Sequence, residues 1–392
     1  MMKKICITFA VLALVACSSS SADDPMEMGN SDDTPPVPVL TSITIESSNG
    51  NQLDLNSGTT VLTAEGVDQF NNAIAFSSSP QWSSNNSNVS VDEDGNVTAQ
   101  REGSSIIMVV SGDVQAIFNI VVVDVSRASA LELFVSDAGN FDSPPWKILR
   151  YDGNGQNPSV FINQNLAWPQ DILFLEAEGT VLISNLNSGE ITRYDAATGD
   201  FIDNFATGIS GPTRMKIGAD NLLYVLQWSG NGRVLRYQLD GTFVDEFTSV
   251  GVNQSIGLDW DSDGNLYVSS FGSAFVKKFD AAGVELETFI NSNLQGPTNI
   301  WFDDSGDLLV NDWVAGVVQR FDASGSFLNT YLAGLNQPEG IATLPDGKFL
   351  IGNGGTGAVK MYDVDGRFIS DLVSSGSGGL ATPNAIFIKQ IN

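Results

Sequence analysis

The chain has 392 residues, an ordinary apolar content of 42%, and a formal net charge of −28 from 18 basic and 46 acidic residues. This length leaves room for more than one domain, and the negative charge argues against nucleic acid as a partner. The chain contains no histidine, which excludes imidazole-based general bases, Ser-His-Asp and Cys-His nucleophile systems, and zinc sites with imidazole ligands.

The N-terminus has the pattern of an export signal. Residues 1–16 combine two lysines with an apolar run that is too short to span a membrane, and the sequence LVAC ends at Cys17. This resembles the signal of bacterial lipoproteins. The resemblance implies that residues 1–16 are removed, that Cys17 is lipidated, and that the protein is held in the cell envelope, in the outer membrane. Residues 17–38 are rich in Ser, Asp and Pro, and we expect a flexible tether.

Residues 39–125 contain short alternating apolar runs separated by turn residues. About seven such runs predict an Ig-like β-sandwich. The phrases GVDQFNN at 66–72, WSSN at 82–85 and VDEDGNVTA at 91–99 resemble the group 2 bacterial Ig-like family, BIG2. The resemblance implies a cell-surface spacer or adhesion module. We expect Trp82 to lie in the core between the two sheets rather than to bind a ligand.

Residues 126–392 contain a repeat with four predicted strands in each copy. The copies begin at Pro169, Pro212, Gln254, Pro297, Pro338 and Pro383, with spacings of 43, 42, 43, 41 and 45 residues. This period is typical of β-propeller blades. The last copy contains one strand, and the segment from Leu131 lacks that strand but has the other three. The sequence therefore predicts an all-β protein in which an Ig-like sandwich precedes a six-bladed β-propeller, closed by a composite blade from both ends of the repeat region.

The repeat resembles the NHL and SMP-30/gluconolactonase-like six-bladed propellers. The resemblance implies the fold more firmly than an activity, because this group includes hydrolases, lyases and binding proteins. Its lyases rely on histidine, which this chain lacks. Turns such as DSDGN at 261–265 place carboxylates ahead of a glycine, as calcium loops do. A hairpin turn explains the same residues, and we favour it.

The second strand of every predicted blade ends in a polar residue, and we expect these residues and the start of each first strand to converge at one mouth of the channel. The strand-end residues are Asp137, Asn185, Gln227, Ser270, Asp312 and Asn353. SMP-30-like enzymes hold a divalent metal at such a mouth, which implies Ca²⁺ or another divalent cation. The implied metal ligands are Asp137, Asn185, Asp312, Glu339, Asn353 and Asn384. Asp312 and Glu339 are the candidate catalytic bases. The alternative is a polar, hydrated mouth without metal.

Three consecutive blades carry an aromatic residue just after the second strand, namely Trp228, Phe271 and Trp313. Beside Gln227 and Ser270, they form a candidate surface for stacking on sugar rings or peptide side chains. Packing against neighbouring loops is the alternative.

Two hypotheses follow. In the first, a membrane-anchored lipoprotein binds a small-molecule, glycan, peptide or protein ligand at the channel mouth and is not an enzyme. The alternative is a divalent-metal-dependent lactonase or esterase of the SMP-30/gluconolactonase type.

Overall fold

A computed structural model describes residues 36–391, and the regular secondary structure in this range is almost entirely β-strand. Its one α-helix, α1 (Arg127–Ala130), has four residues, and three 3₁₀ turns cover Glu176–Glu178, Gly354–Thr356 and Ser377–Gly379. Within the described range, no helix is long and apolar enough to cross a membrane. The expected signal peptide, Cys17 and all but the end of the expected tether lie outside the described residues.

The first unit has nine strands in two sheets. These are β1 (Leu40–Ser47), β2 (Gln52–Asp54), β3 (Thr59–Asp68), β4 (Ala73–Ile74), β5 (Gln81–Ser84), β6 (Val89–Val91), β7 (Asn96–Ala99), β8 (Gly103–Ser111) and β9 (Val114–Val123). One sheet has the order β1-β3-β7-β6, with β4 pairing with β3, and the other has the order β2-β9-β8-β5.

Side-chain alternation explains how these two sheets form a core. Along β3 and β8, buried and more exposed residues alternate, so each strand presents one apolar face. Leu62, Val97, Ile107 and Ile120 share one buried cluster. Trp82 packs against this cluster while remaining partly exposed, as expected for a residue of the core rather than of a ligand site.

The second unit has twenty-four strands. They are β10 (Leu131–Asp137), β11 (Lys147–Asp152), β12 (Ser159–Ile162), β13 (Pro169–Leu175), β14 (Thr180–Asn185), β15 (Glu190–Asp195), β16 (Phe201–Ala206), β17 (Pro212–Ile217), β18 (Leu223–Gln227), β19 (Leu235–Tyr237), β20 (Phe243–Glu246), β21 (Ser255–Trp260), β22 (Leu266–Ser270), β23 (Phe275–Phe279), β24 (Glu285–Ile290), β25 (Pro297–Phe302), β26 (Leu308–Asp312), β27 (Val317–Phe321), β28 (Phe327–Leu332), β29 (Pro338–Thr343), β30 (Phe349–Asn353), β31 (Ala358–Tyr362), β32 (Phe368–Val373) and β33 (Pro383–Gln390).

These strands form six four-stranded antiparallel sheets. Five sheets take four consecutive strands each, from β13–β16 to β29–β32, and the sixth has the order β12-β11-β10-β33. Strand β33 therefore pairs with β10 although some 250 residues separate them. The inner strands β13, β17, β21, β25, β29 and β33 contact one another in sequence, and β33 also contacts β13. This arrangement is a β-propeller.

The repeated D-x-x-G segments are hairpin turns. The Asp261 carboxylate accepts hydrogen bonds from the backbone N–H groups of Asp263 (3.0 Å) and Asn265 (2.9 Å). Gly264 donates its N–H to the Asp261 carbonyl and has a φ of +82°, which favours glycine. The carboxylate thus stabilises the turn, and the hairpin interpretation is confirmed.

The two units meet through buried charges. Glu102, just before β8, accepts hydrogen bonds from Arg127 of α1 and lies 2.9 Å from the Lys348 ammonium in the β29–β30 turn. Burial opposes ionisation of Glu102, but the hydrogen bonds and charges of Arg127 and Lys348 outweigh it and lower its pKa. A second link joins the Arg367 guanidinium to the Asn88 side chain at 3.2 Å.

Candidate functional site

The polar residue that ends each second strand bonds to backbone nearby. Asp312 is fully buried at the end of β26, and its carboxylate accepts hydrogen bonds from the N–H groups of Gln295 (2.6 Å), Gly296 (3.0 Å) and Ala315 (3.0 Å). Residues 295 and 296 belong to the connection that leads into β25 of the same sheet. Asp312 therefore fixes the entry of the chain into the inner strand.

The other strand-end residues do the same. In four of them, side-chain oxygen atoms accept hydrogen bonds from backbone N–H groups: Asp137 from Gly139, Ala381 and Thr382; Asn185 from Ala167; Gln227 from Ser210; and Asn353 from Asn336. In the fifth, the Ser270 hydroxyl donates to the Asn253 carbonyl. Their oxygen atoms are engaged by separate connections around the ring. The structure does not bring the six expected metal ligands together, and the side chains of Gln227 and Ser270 bond to the connections before their inner strands.

Only two of those expected ligands, Glu339 and Asn384, lie at the central channel, and an arginine occupies the space between them. Arg214 of β17 donates to the Glu339 carboxylate (2.9 Å), to the Asn384 carbonyl (2.7 Å) and to the Asn299 side chain (3.1 Å). Its side chain is 4% exposed and that of Glu339 is 10% exposed. The guanidinium thus links its own strand, β17, by hydrogen bonds to the inner strands β25, β29 and β33.

The charges in the channel do not favour a metal ion. Burial raises the pKa of Glu339 to about 7, Arg214 partly offsets this effect, and nearby Asp171 adds to it. Burial also raises the pKa of Asp171 despite the charge of Arg214. A cation bound to Glu339 would have to compete with a guanidinium already in contact. In the part of the chain that the structure describes, no group of three or more His, Cys, Asp or Glu residues is arranged to hold a metal.

The three predicted aromatic residues line one cavity. It has a volume of about 350 Å³ and lies on one face of the propeller, above the start of the inner strands. The ring centroids of Trp228 and Phe271 are 5.8 Å apart, and those of Phe271 and Trp313 are 5.9 Å apart. We call this cavity the aromatic pocket. It lies within the usual size range of small-ligand sites, at the small end.

Regular backbone geometry positions these three rings. Each aromatic residue follows the end of its second strand and donates its N–H to the carbonyl of a residue in the connection before the inner strand. The acceptors are Gly211 for Trp228 (2.7 Å), Gln254 for Phe271 (2.9 Å) and Gly296 for Trp313 (2.9 Å). Because the same bond recurs in three adjacent sheets, the side chains emerge side by side on one rim.

Phe141 and Trp168 complete the pocket, and the sequence analysis did not identify either. Their ring centroids are 5.3 Å apart. Both residues have left-handed backbone conformations, with φ of 52° and 55°. At the position of Trp168 the next sheet uses Gly211, for which such a φ has no steric cost. The conformation at Trp168 belongs to the repeated connection, since Gln254 and Gln337 at the equivalent positions have φ of 51° and 54°.

The floor of the pocket is formed by inner-strand residues, including Gln170, Ile256, Thr298 and Glu339. The Thr298 hydroxyl is already bonded to the Pro338 carbonyl at 3.1 Å. Gln170 makes no side-chain hydrogen bond within residues 36–391, and Glu339 makes one, which leaves its second carboxylate oxygen without a protein partner there. The pocket therefore offers aromatic walls above one carboxylate and one amide.

Comparison with known proteins supports the fold. No protein-family model and no curated protein sequence matches the chain. A chain of a crystal structure of the nidogen/laminin complex is 14% identical, with a TM-score of 0.54, over 66% of this chain and 98% of that one. A protein of unknown function from Bacteroides caccae is 18% identical, with a TM-score of 0.54, over 66% and 99%. One from Bacteroides thetaiotaomicron is 14% identical, with a TM-score of 0.46, over 86% of each chain. At these identities the likeness concerns the fold alone.

Proposed function

We propose that this protein is a binding module whose propeller takes the apolar or planar part of a ligand into the aromatic pocket. One observation carries the proposal: five aromatic residues from four sheets and one insertion surround a cavity whose floor contains a buried carboxylate. Large apolar surfaces that line a cavity instead of filling the core are typical of ligand sites. Trp260 and Trp301, by contrast, pack against core clusters.

A metal-dependent lactonase is the weaker hypothesis. Such an enzyme needs several oxygen ligands that are free to surround one cation. Asp312, one of the two candidate bases, bonds to three backbone N–H groups, and Glu339, the other, is paired with Arg214. Neither carboxylate is available in the way that the hydrolase hypothesis requires.

The ligand class that we propose includes small molecules, sugars and peptide side chains that present an apolar face. A protein ligand would insert one side chain into the pocket and contact the rim around it. The same fold in a chain of the nidogen/laminin complex is consistent with such a partner.

The test is binding of the soluble part, expressed from Ser18, to glycan and peptide arrays. Trp228→Ala and Trp313→Ala should each weaken binding by tenfold or more, because each removes a wall of the pocket. The matched control is Phe327→Ala, which removes an exposed ring from the outermost strand β28, outside the aromatic pocket. If the two pocket variants retain full binding while their folds are intact, the proposal is wrong.

We further propose the setting in which this module works. Lipidation of Cys17 would anchor the protein in the outer membrane, residues 17–38 would serve as a tether, and residues 39–125 would be an Ig-like spacer of the BIG2 type. The six four-stranded sheets within residues 126–392 would be the blades of a six-bladed propeller, with β33 and β10 in the composite blade. Cys17→Ala should release the protein from the membrane fraction, and an unchanged distribution would contradict the anchor.

A further inference from the structure

We propose that the aromatic pocket is selective for a small molecule that carries an alkylated ammonium group, such as a trimethylammonium. This inference rests on the proposed function and narrows it, since it assigns a charge and a shape to the ligand. The evidence is the sign of the charges around the pocket, the nature of its walls, and the few polar groups that it offers.

The charged side chains that line the pocket are both acidic. Glu339 lies at the floor and is almost fully buried, and Asp142 lies exposed at the rim. The basic residue nearest to the floor is Arg214, which lines a separate cavity of about 190 Å³ together with Asp171 and not the aromatic pocket. A ligand in the pocket therefore meets carboxylates first. The single guanidinium of Arg214 lies near two carboxylates, those of Glu339 and Asp171, and can neutralise only one of them.

The walls suit a cation that is also apolar. The faces of aromatic rings attract cations that lie within about 6 Å of the ring centroid, and several rings around one ammonium form an aromatic cage. Trp228, Phe271 and Trp313 are neighbours at 5.8 and 5.9 Å, and Phe141 and Trp168 add a second pair. The methyl groups of an alkylated ammonium pack against such rings, whereas a bare ammonium retains its water.

The polar groups are too few for a sugar to be the preferred ligand. A sugar ring needs several hydrogen-bond partners for its hydroxyl groups, because burying an unpaired hydroxyl is unfavourable. Within the described residues, the floor supplies the Gln170 amide and one oxygen of Glu339, since the Thr298 hydroxyl already bonds to Pro338. A trimethylammonium group has no N–H that needs an acceptor, and the aromatic ring faces and the Glu339 carboxylate offset the cost of removing its charge from water.

The test compares choline with 3,3-dimethylbutan-1-ol, in which a tert-butyl group replaces the trimethylammonium at nearly the same shape. Binding of each probe to the soluble part is measured by isothermal titration calorimetry for the wild type, Glu339→Gln, Trp228→Leu and Asp304→Asn. Asp304 is exposed in a turn and serves as the control. Circular dichroism confirms that each variant is folded, and Trp228→Leu keeps the test valid if Glu339→Gln does not fold.

We expect choline to bind about tenfold more tightly than its neutral analogue, a difference of about 1.4 kcal/mol, because of cation–π and charge attraction. Glu339→Gln and Trp228→Leu should each reduce this preference, and Asp304→Asn should leave it unchanged. Equal binding of the two probes at the pocket would overturn the inference and keep the proposed function. Absence of choline binding would also overturn it, and the array experiment above would then decide whether the pocket binds any ligand.

Discussion

The guanidinium of Arg214 donates a hydrogen bond of 2.9 Å to the carboxylate of Glu339 across the central channel, where both side chains are nearly excluded from solvent. The two residues lie on inner strands of opposite sheets, β17 and β29, with two sheets between them on either side of the ring, and are separated by 125 positions in sequence. The pair separates the aromatic pocket, which Glu339 lines, from the cavity that Arg214 lines. We therefore expect Glu339 to affect both the stability of the propeller and the binding of ligand in the aromatic pocket.

Removal of Arg214 should destabilise the propeller. In Arg214→Leu, Glu339 loses its partner while it stays buried, and the free energy of unfolding should fall by about 3 kcal/mol, as measured by urea denaturation. The double variant Arg214→Leu/Glu339→Leu removes both charges and should be more stable than the single variant. Equal stability of the single variant and the wild type would show that the pair contributes little.

The raised pKa of Glu339 predicts a dependence of stability on pH. Its pKa is about 7 in the folded chain against an ordinary value of 4.5, so the folded state binds the proton more tightly. The free energy of unfolding should therefore decrease as pH rises from about 4.5 to 7, by on the order of 3 kcal/mol from this group, and stay level above pH 7. Asp171, whose pKa is also raised, acts in the same direction.

The variant Glu339→Gln isolates this contribution. Chemical denaturation of wild type and variant at several pH values gives the difference in the free energy of unfolding. That difference should change between pH 4.5 and 7 and remain constant above. A constant difference across the whole range would mean that Glu339 does not titrate there.

Asp312 should matter for stability and not for metal binding. In Asp312→Ala, three backbone N–H groups around the end of β26 lose their acceptor, which should cost about 2–4 kcal/mol in thermal or urea unfolding. Asp304→Ala, at an exposed turn position, should change the stability by less than about 0.5 kcal/mol. A small effect of Asp312→Ala would contradict the structural role assigned to the strand-end residues.

The junction between the two units depends on Glu102. In Glu102→Ala, Arg127 stays buried without its carboxylate, and the first unit should separate from the propeller more easily. We expect a loss of about 3 kcal/mol and faster proteolysis near residues 124–130. Glu65→Ala, at an exposed position of β3, is the control. Unfolding of the two units in one transition with an unchanged midpoint would argue against this role.

The repeats made the sheets predictable, but not the direction of every polar side chain. Strand-end residues such as Asp312 recur at the same place in each copy, which suggested a shared ring at the channel mouth. The second strand lies one strand spacing, about 4.8 Å, outside the inner strand. The last side chain of the second strand therefore contacts the connection that leads into the inner strand, and the backbone N–H groups of this connection donate hydrogen bonds to its oxygen atoms.

Trp228, Phe271 and Trp313 could be predicted because they occupy one position of the repeat. Phe141 lies in an insertion, and Trp168 lies where other sheets use Gly211 or a glutamine, so neither belongs to a pattern. The role of Arg214 was not predicted, because the equivalent position in the inner strands of the other sheets holds Asp171, Asn299 or a small residue. A single basic residue in that series was the available signal, and its partner across the ring could not be read from local sequence.

The most direct measurement uses the indole N–H signals of the seven tryptophans in a ¹⁵N-labelled sample of the soluble part. Trp168, Trp228 and Trp313 report on the aromatic pocket, and Trp82, Trp260 and Trp301 report on the cores. Titration with choline, or with any ligand found on the arrays, should shift the three pocket signals and leave the three core signals in place. A ligand that binds while the pocket signals stay unchanged would show that this propeller binds its ligand elsewhere.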